Sequence, residues 1–141
     1  MLKITPRTKS VFLDISKHPA YSKSAMKVGL KKVGEIVTKE AVKGISNPPK
    51  TGRVYTYKGQ LHQASAKGEY PANMSGALKK GINSKRTQNK LKINSKAEYS
   101  TFLEDATKKM TKRPFLIRAI NDTSSQQLQA LINEMDRRLV K

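Results

Sequence analysis

The stretch SKSAMKVGLKKVGEIVTKEAVKGI, residues 22–45, is the part of the chain that most directly decides its fold. Ser22 or Ser24 can cap a helix here, and the Pro48-Pro49 pair ends the helical pattern. The apolar and small residues recur at spacings of three and four, which predicts an amphipathic helix. They are Met26, Leu30, Val33, Val37, Ala41 and Gly44.

Two β-hairpins are predicted after this helix. Residues 53–65 alternate in polarity around Lys58-Gly59, where Gly59 supplies the turn. Residues 82–86 and 90–95 form the second pair of strands, with a turn at 87–89. Short helices are predicted at about 75–82 and 98–105, one on each side of the second hairpin.

A second long helix is predicted to begin near Pro114, because Pro suits the first turn of a helix. A break at 121–123 is the alternative, but the apolar phase favours one continuous helix if Ser124 fills one place on the stripe. The stripe consists of Ile117, Ile120, Leu128, Leu131, Ile132, Met135 and Leu139.

These elements predict an α+β fold: a small antiparallel sheet (two hairpins) packed by two long amphipathic helices, about 22–45 and 114–139, plus short helices. The 141 residues fit a single domain, 1–141, in which 1–18 form an extended arm or a short strand and 19–141 the α+β domain. Hydrophobic residues make up only 36%, so the core is thin and partners are expected to bury part of the surface.

The chain is strongly basic, with 29 Lys and Arg against 10 Asp and Glu and a net charge of +19. Residues 1–97 carry a net +17 and residues 98–141 a net +2. Such an excess suits an acidic neighbour: nucleic acid, a membrane surface or an acidic protein. The residues predicted to contribute to a DNA-facing or basic interface surface are Lys23, Lys27, Lys31, Lys39 and Arg53.

Each basic or aromatic feature also has a plainer interpretation. The lysines of 22–45 either face phosphates or form an ordinary solvated helix face. Tyr55 and Tyr57 either stack on bases or, as we favour, pack against a helix or a neighbouring subunit.

No catalytic, cofactor-binding or metal-binding residue is predicted. His18 and His62 lack a neighbouring ligand in sequence, and adjacent carboxylates such as Glu104 and Asp105 point apart on a helix. Glu104 and Asp105 are instead expected to pair locally with Lys108 or Lys109. The absence of Cys, of a signal peptide and of a long apolar run indicates synthesis in a reducing cytoplasm and no membrane partner.

Three stretches carry a more specific pattern: ASAKGEYPANMSGALKKGI (64–82), YSTFLEDAT (99–107) and RPFLIRAI (113–120). Their order and spacing resemble the neck, or tail-completion, family of long-tailed bacteriophages, the head–tail joining proteins also described as minor tail components. The resemblance covers roughly residues 22–140. The residues that carry it are Ser65, Gly68, Glu69, Pro71, Ser75, Gly76, Leu78, Tyr99, Phe102, Glu104, Thr107, Arg113, Pro114, Phe115 and Leu116.

The chain also departs from the family pattern. Lys67 and Tyr70 stand where the family usually has Pro, so the loop is expected to be less stiff. Ala106 replaces the Gly before Thr107, so the sequence does not decide whether a positive-φ turn forms there. Gly81 takes a place often held by Ser.

The resemblance implies a non-enzymatic virion protein whose motif residues have scaffold roles, with Tyr99 and Phe102 as core or interface contacts. It implies a homo-oligomeric ring, a hexamer, between head-closure or adaptor proteins and the tail-tube or tail-terminator proteins. Genomic double-stranded DNA passes through the lumen. The protein is then found in the virion, and in the host cytoplasm during assembly. Residues 53–64 and the arm 1–18 are the candidate subunit contacts.

The main alternative is a small basic nucleic-acid-binding protein, which composition alone favours. It predicts tight, steeply salt-dependent binding to free nucleic acid, whereas the ring predicts weak binding and ordered oligomers. A toxin-type nuclease is a third possibility, against which the lack of a convergent His and carboxylate set counts.

Overall fold

The computed structural model of the chain describes residues 2–5, 10–14, 23–47, 50–87 and 90–139, with the backbone alone at 2–5, 10–14 and 138–139. The predicted cap at Ser22, the Pro48-Pro49 pair, turn residues 88–89 and His18 lie outside the described residues. The elements are β1 (Leu2–Thr5), β2 (Ser10–Asp14), α1 (Lys23–Ser46), β3 (Val54–Tyr57), β4 (Gln60–Gln63), α2 (Ala77–Gly81), β5 (Ile82–Thr87), β6 (Lys90–Ser95), α3 (Ser100–Asp105), α4 (Leu116–Asp122) and α5 (Ser124–Leu139).

Four strands form one antiparallel sheet in the order β1-β2-β6-β5. The predicted second hairpin supplies β5 and β6, whose register begins with Ile82 opposite Ser95. β2 pairs with the other edge of β6, where Ser10 lies opposite Asn94. The predicted extended arm, 1–18, therefore contributes two strands to the sheet of its own chain.

The first predicted hairpin forms a separate two-stranded sheet, β3–β4, in which Tyr55 lies opposite His62. Lys58 and Gly59 form its turn with φ values of 50° and 78°. Two positive φ values are what a type I′ hairpin turn requires, and Gly59 adopts its φ without steric cost. The α+β class, both hairpins and the first long helix are thus confirmed. The two hairpins do not share one sheet as predicted, and the last helical region is two helices and not one continuous helix.

The core lies between α1 and the four-stranded sheet, and α4 closes one side of it. Of the predicted α1 stripe, all but Gly44 are fully buried. A Cβ at Gly34 would lie 2.8 Å from Ser84 Oγ and 3.1 Å from Leu91 Cδ1, so this glycine lets α1 approach the sheet closely. The other members of the core cluster are Ile45, Leu78, Ile82, Leu91, Ile93, Leu103, Phe115, Leu116 and Ala119.

The predicted last helix is observed as α4 and α5, which begin at Leu116 and meet at Thr123. Backbone hydrogen bonding continues across the junction, since the Thr123 N–H donates to the Ala119 carbonyl and the Thr123 carbonyl accepts from Gln127. The Thr123 hydroxyl also donates to Ala119 O at 2.6 Å. A Thr side chain that bonds back onto the preceding turn bends a helix, which accounts for the interruption.

The buried face of α5 is rotated away from its predicted apolar stripe. Leu128 and Ile132 are exposed, whereas Gln127 and Glu134 are buried. Gln127 Nε2 donates to the Thr123 hydroxyl at 2.8 Å, and Glu134 forms ion pairs with Lys32 and Arg137. The apolar stripe was therefore the wrong guide to burial at positions 128 and 132, because polar contacts satisfy Gln127 and Glu134 on the buried side. Gln127 bonds Thr123 four residues before it, and Glu134 bonds Lys32 of α1 as well as Arg137.

Candidate assembly surface

Several residues of the family-like pattern meet where loop 64–71 lies against the start of α4. Arg113 Nε donates to the carbonyl of Ser65 at 3.0 Å, and Arg118 Nη1 donates to the carbonyl of Gly68. Hydrogen bonds from a charged donor are stronger than neutral ones. Two Arg side chains from the α4 region thus bind the backbone of this loop.

Glu69 joins the loop to the base of the β3–β4 hairpin. Its carboxylate accepts the N–H of Ala66 at 2.8 Å and the N–H of Thr51 at 3.1 Å, and the Thr51 hydroxyl also donates to it. The Thr51 hydroxyl, followed by the two N–H groups, lowers the pKa of Glu69 from 4.5 to about 2. The ionised carboxylate therefore holds Thr51, which leads into β3, against the loop.

Tyr70 packs the other side of the loop against α1 and α4. A Cβ at Gly44 would lie 2.5 Å from its ring carbons, and the Arg118 guanidinium lies 4.6 Å from the ring centroid. The Tyr70 hydroxyl donates to Asp122 Oδ2 at 3.2 Å, and burial, followed by the Asp122 charge, raises the pKa of Tyr70. These contacts fix the loop at position 70, where the resembled family usually has Pro.

Glu104 is buried and caps α4, a role that the sequence reasoning missed. Its Oε1 accepts the N–H of Phe115 at 2.9 Å and the N–H of Leu116 at 2.6 Å. Beyond the local pairing with Lys108 or Lys109 that the sequence predicts, Glu104 thus binds backbone groups eleven and twelve residues away. A signal was available, because none of residues 113–115 can cap α4 with a side-chain oxygen, and helix N–H groups need an acceptor.

The α2 segment of the pattern starts later than predicted. The helix begins at Ala77, Gly76 is its N-cap at φ 78°, and the Ser75 hydroxyl accepts the Ala77 N–H at 3.4 Å. The side chain of Leu78 is fully buried in the core, as its predicted anchoring role requires. Pro71 is also buried, at the end of the loop that precedes α2.

The turn between α3 and α4 keeps a positive φ without a glycine. Ala106 has φ 70° and ψ 169°, and its N–H donates to the Phe102 carbonyl at 3.0 Å. Thr107 continues the turn, since its hydroxyl accepts the Met110 N–H at 3.0 Å. Half-buried Pro114 follows and leads the chain into α4. The positive-φ turn, which the sequence alone did not decide, is thus present, and Ala106 adopts a backbone conformation that is rare for Ala.

The outer side of α3 is exposed, aromatic and acidic. Tyr99 is 43% exposed and Phe102 is 52% exposed, so both lie at the surface and not in the core. Glu98 and Asp105 are exposed as well: Glu98 and Tyr99 lie in the turn that leads into α3, and Phe102 and Asp105 lie three residues apart on the helix. We call these four residues the α3 face.

The β3–β4 hairpin exposes apolar side chains on both of its sides. Leu61 is 78% exposed and Val54 is 53% exposed on one side. On the other side His62 lies between Tyr55 and Tyr57, with ring centroids 6.2 Å and 5.9 Å apart. An isolated two-stranded hairpin is only marginally stable in water, so this element gains stability when a partner covers it.

The predicted basic residues lie on two elements. Lys23, Lys27, Lys31 and Lys39 are all exposed along α1. Arg53 is exposed immediately before β3. The α1 lysines therefore form a solvent-facing row, whereas Arg53 belongs to the hairpin.

Among the described residues, no group of three or more His, Asp or Glu side chains is arranged to hold a metal ion. In the same part of the chain, no helix is both long enough and apolar enough to cross a bilayer.

The comparisons with known proteins return no match. No protein-family model, no curated protein and no solved structure matches this chain. The resemblance to phage neck proteins therefore rests on the quoted residues.

Proposed function

We propose that this chain is a non-enzymatic structural protein that assembles into a homo-oligomeric ring at the head–tail joint of a long-tailed phage. The observation that carries the proposal is the β3–β4 hairpin, whose Val54, Tyr55, Tyr57 and Leu61 side chains are exposed on a single copy. Exposed apolar side chains gathered on one projecting element are typical of a protein–protein contact.

The base of the hairpin is braced, which suits an element that has to present a fixed surface. Glu69 binds Thr51 just before β3, and Arg113 binds Ser65 just after β4. A backbone hydrogen bond joins the two segments between these points, since the Gly52 N–H donates to Ala64 O at 2.9 Å. Side chains held by packing and hydrogen bonds position an interface better than a loose loop does.

The charge of the chain suits passage of DNA through such a ring. Six copies at +19 each would carry +114. Positive charge around a lumen attracts the phosphate backbone without reading its sequence. Under this proposal the neighbouring partners are head-closure or adaptor proteins on one side and tail-tube or tail-terminator proteins on the other.

The test is a particle assay paired with a mass measurement. Deletion of the gene from the phage is expected to leave filled heads and finished tails that are not joined, visible by electron microscopy. The purified chain is expected to form a closed oligomer by sedimentation velocity. A deletion strain with normal joined particles contradicts the proposal.

A small nucleic-acid-binding protein is the second candidate, favoured by the exposed α1 lysines Lys23, Lys27, Lys31 and Lys39. It is distinguished by binding of free duplex DNA at increasing salt. A binding protein loses affinity steeply, by about one power of salt concentration per phosphate contact. The ring protein is expected to bind free duplex weakly at physiological salt.

A further inference from the structure

The hairpin segment is basic, and the acid at its base, Glu69, is bonded to Thr51 and Ala66. Residues 41–68 contain no Asp or Glu, while Arg53 and Lys58 are exposed beside the apolar side chains of β3–β4. The Lys58 ammonium lies 5.5 Å from the centroid of the Tyr57 ring. Strand alternation places Arg53 on the same side of the hairpin as Tyr55 and Tyr57. We call these three residues, together with Lys58 at the turn, the hairpin surface.

The α3 face has the complementary chemistry. Residues 97–107 contain no Lys or Arg, with Lys96 and Lys108 at their borders, although the whole chain carries +19. Within this stretch two exposed aromatic rings, of Tyr99 and Phe102, lie beside the exposed carboxylates of Glu98 and Asp105. An aromatic centre with charges of one sign beside it is suited to an aromatic partner of the opposite sign.

Both surfaces are exposed on the same copy, so they do not cover each other within one chain. We propose that the hairpin surface of one copy docks on the α3 face of a second copy. Arg53 and Lys58 then meet Glu98 and Asp105 of the neighbour, around a centre of aromatic side chains.

This contact has a direct consequence for assembly. Two different patches meet, so the contact is heterologous, and each copy of a pair keeps its other patch free for the next copy. Repetition of a heterologous contact closes into a ring when the rotation between copies allows it. The inference rests on the proposed ring and identifies the two surfaces that build it.

The test is rescue by charge exchange, followed by sedimentation velocity of the full chain. The Arg53→Glu/Lys58→Glu variant and the Glu98→Lys/Asp105→Lys variant are each expected to raise the apparent dissociation constant about 100-fold or more, because like charges then face each other. The chain carrying all four substitutions restores opposite charges and is expected to return to within about 10-fold of the wild type.

A matched control lies on α5, where Leu128 and Ile132 are also exposed and Asp136 is an exposed acid. Asp136→Lys is expected to leave the oligomer unchanged, and it is expected not to rescue the hairpin variant. All substituted positions are exposed, so each variant is expected to keep the far-UV circular dichroism and urea midpoint of the wild type.

The outcomes separate this inference from the proposed function. A wild-type ring that hairpin reversal leaves intact, or that the four-fold variant does not restore, overturns the inference while the ring itself stands. Hairpin variants that lose binding of duplex DNA and keep their oligomeric mass overturn it as well. A wild-type chain that stays monomeric at every concentration overturns both proposals.

Discussion

At the scale of single residues, Glu104 is expected to have a large effect on stability. Glu104→Ala leaves the N–H groups of Phe115 and Leu116 without their buried acceptor. We expect a loss of about 2–4 kcal/mol in the free energy of unfolding, measured by urea denaturation. Glu104→Gln keeps an acceptor oxygen and should lose clearly less. Equal losses in the two variants would show that the cap is not the reason.

Ala106 offers the opposite effect, because its φ of 70° with ψ of 169° is a conformation that only Gly adopts freely. Ala106→Gly is expected to raise the free energy of unfolding by about 1 kcal/mol, after the greater chain entropy of Gly in the unfolded state is subtracted. Ala72→Gly is the control, since Ala72 has no positive φ, and it should lower stability. A destabilised Ala106→Gly variant contradicts the strain argument.

Glu69 makes stability depend on pH in a defined direction. Its pKa is about 2 in the folded chain and ordinarily 4.5, so the unfolded chain takes up the proton first as pH falls. The contribution of Glu69 is therefore fully present above about pH 4.5 and is lost as the pH falls from about 4.5 to about 2. Glu69→Gln removes this contribution, so the stability difference between wild type and variant should shrink over that range in urea titrations. A difference that does not change with pH would rule out the role of this carboxylate.

At the scale of elements, the contact between α1 and loop 64–71 depends on the absence of a side chain at Gly44. Gly44→Ala improves helix propensity by about 1 kcal/mol, yet its Cβ would lie 2.5 Å from the Tyr70 ring. Overpacking of this kind costs about 1–3 kcal/mol, so a net loss of stability is expected in thermal unfolding. In a Tyr70→Ala background the Gly44→Ala substitution should stabilise the chain. A loss of stability of the same size in both backgrounds would show that the Tyr70 ring is not its cause.

At the scale of the whole molecule, the α1 lysines are expected to act on assembly and not on folding. Charge reversal to Glu at Lys23, Lys27, Lys31 and Lys39 lowers the net charge from +19 to +11, and all four side chains are exposed. Each substitution should change stability by no more than about 0.5 kcal/mol, while joined particles and plaque counts fall.

The matching control gives the same net charge from other exposed positions: Lys80, Lys85, Arg86 and Lys112, each changed to Glu. This control should join heads and tails better than the α1 variant. Normal joining in the α1 variant would remove the lysine row from the proposal.

The sequence by itself determined the local elements, because periodicity and turn chemistry act over a few residues. The α1 stripe, the Lys58-Gly59 turn and the second hairpin were all predicted from spacing and from Gly or Pro positions. The α+β class followed, since a helix with one apolar face and paired strands have few ways to bury their apolar sides.

Only the tertiary structure decided which surfaces these elements bury. Glu104 acts eleven and twelve residues away along the chain, and Glu134 reaches Lys32 from the other end of the sequence. In the folded chain Leu128 faces outward, and the hairpin surface and the α3 face are both exposed on one copy. Burial is a property of long-range packing, which no local pattern in the chain records.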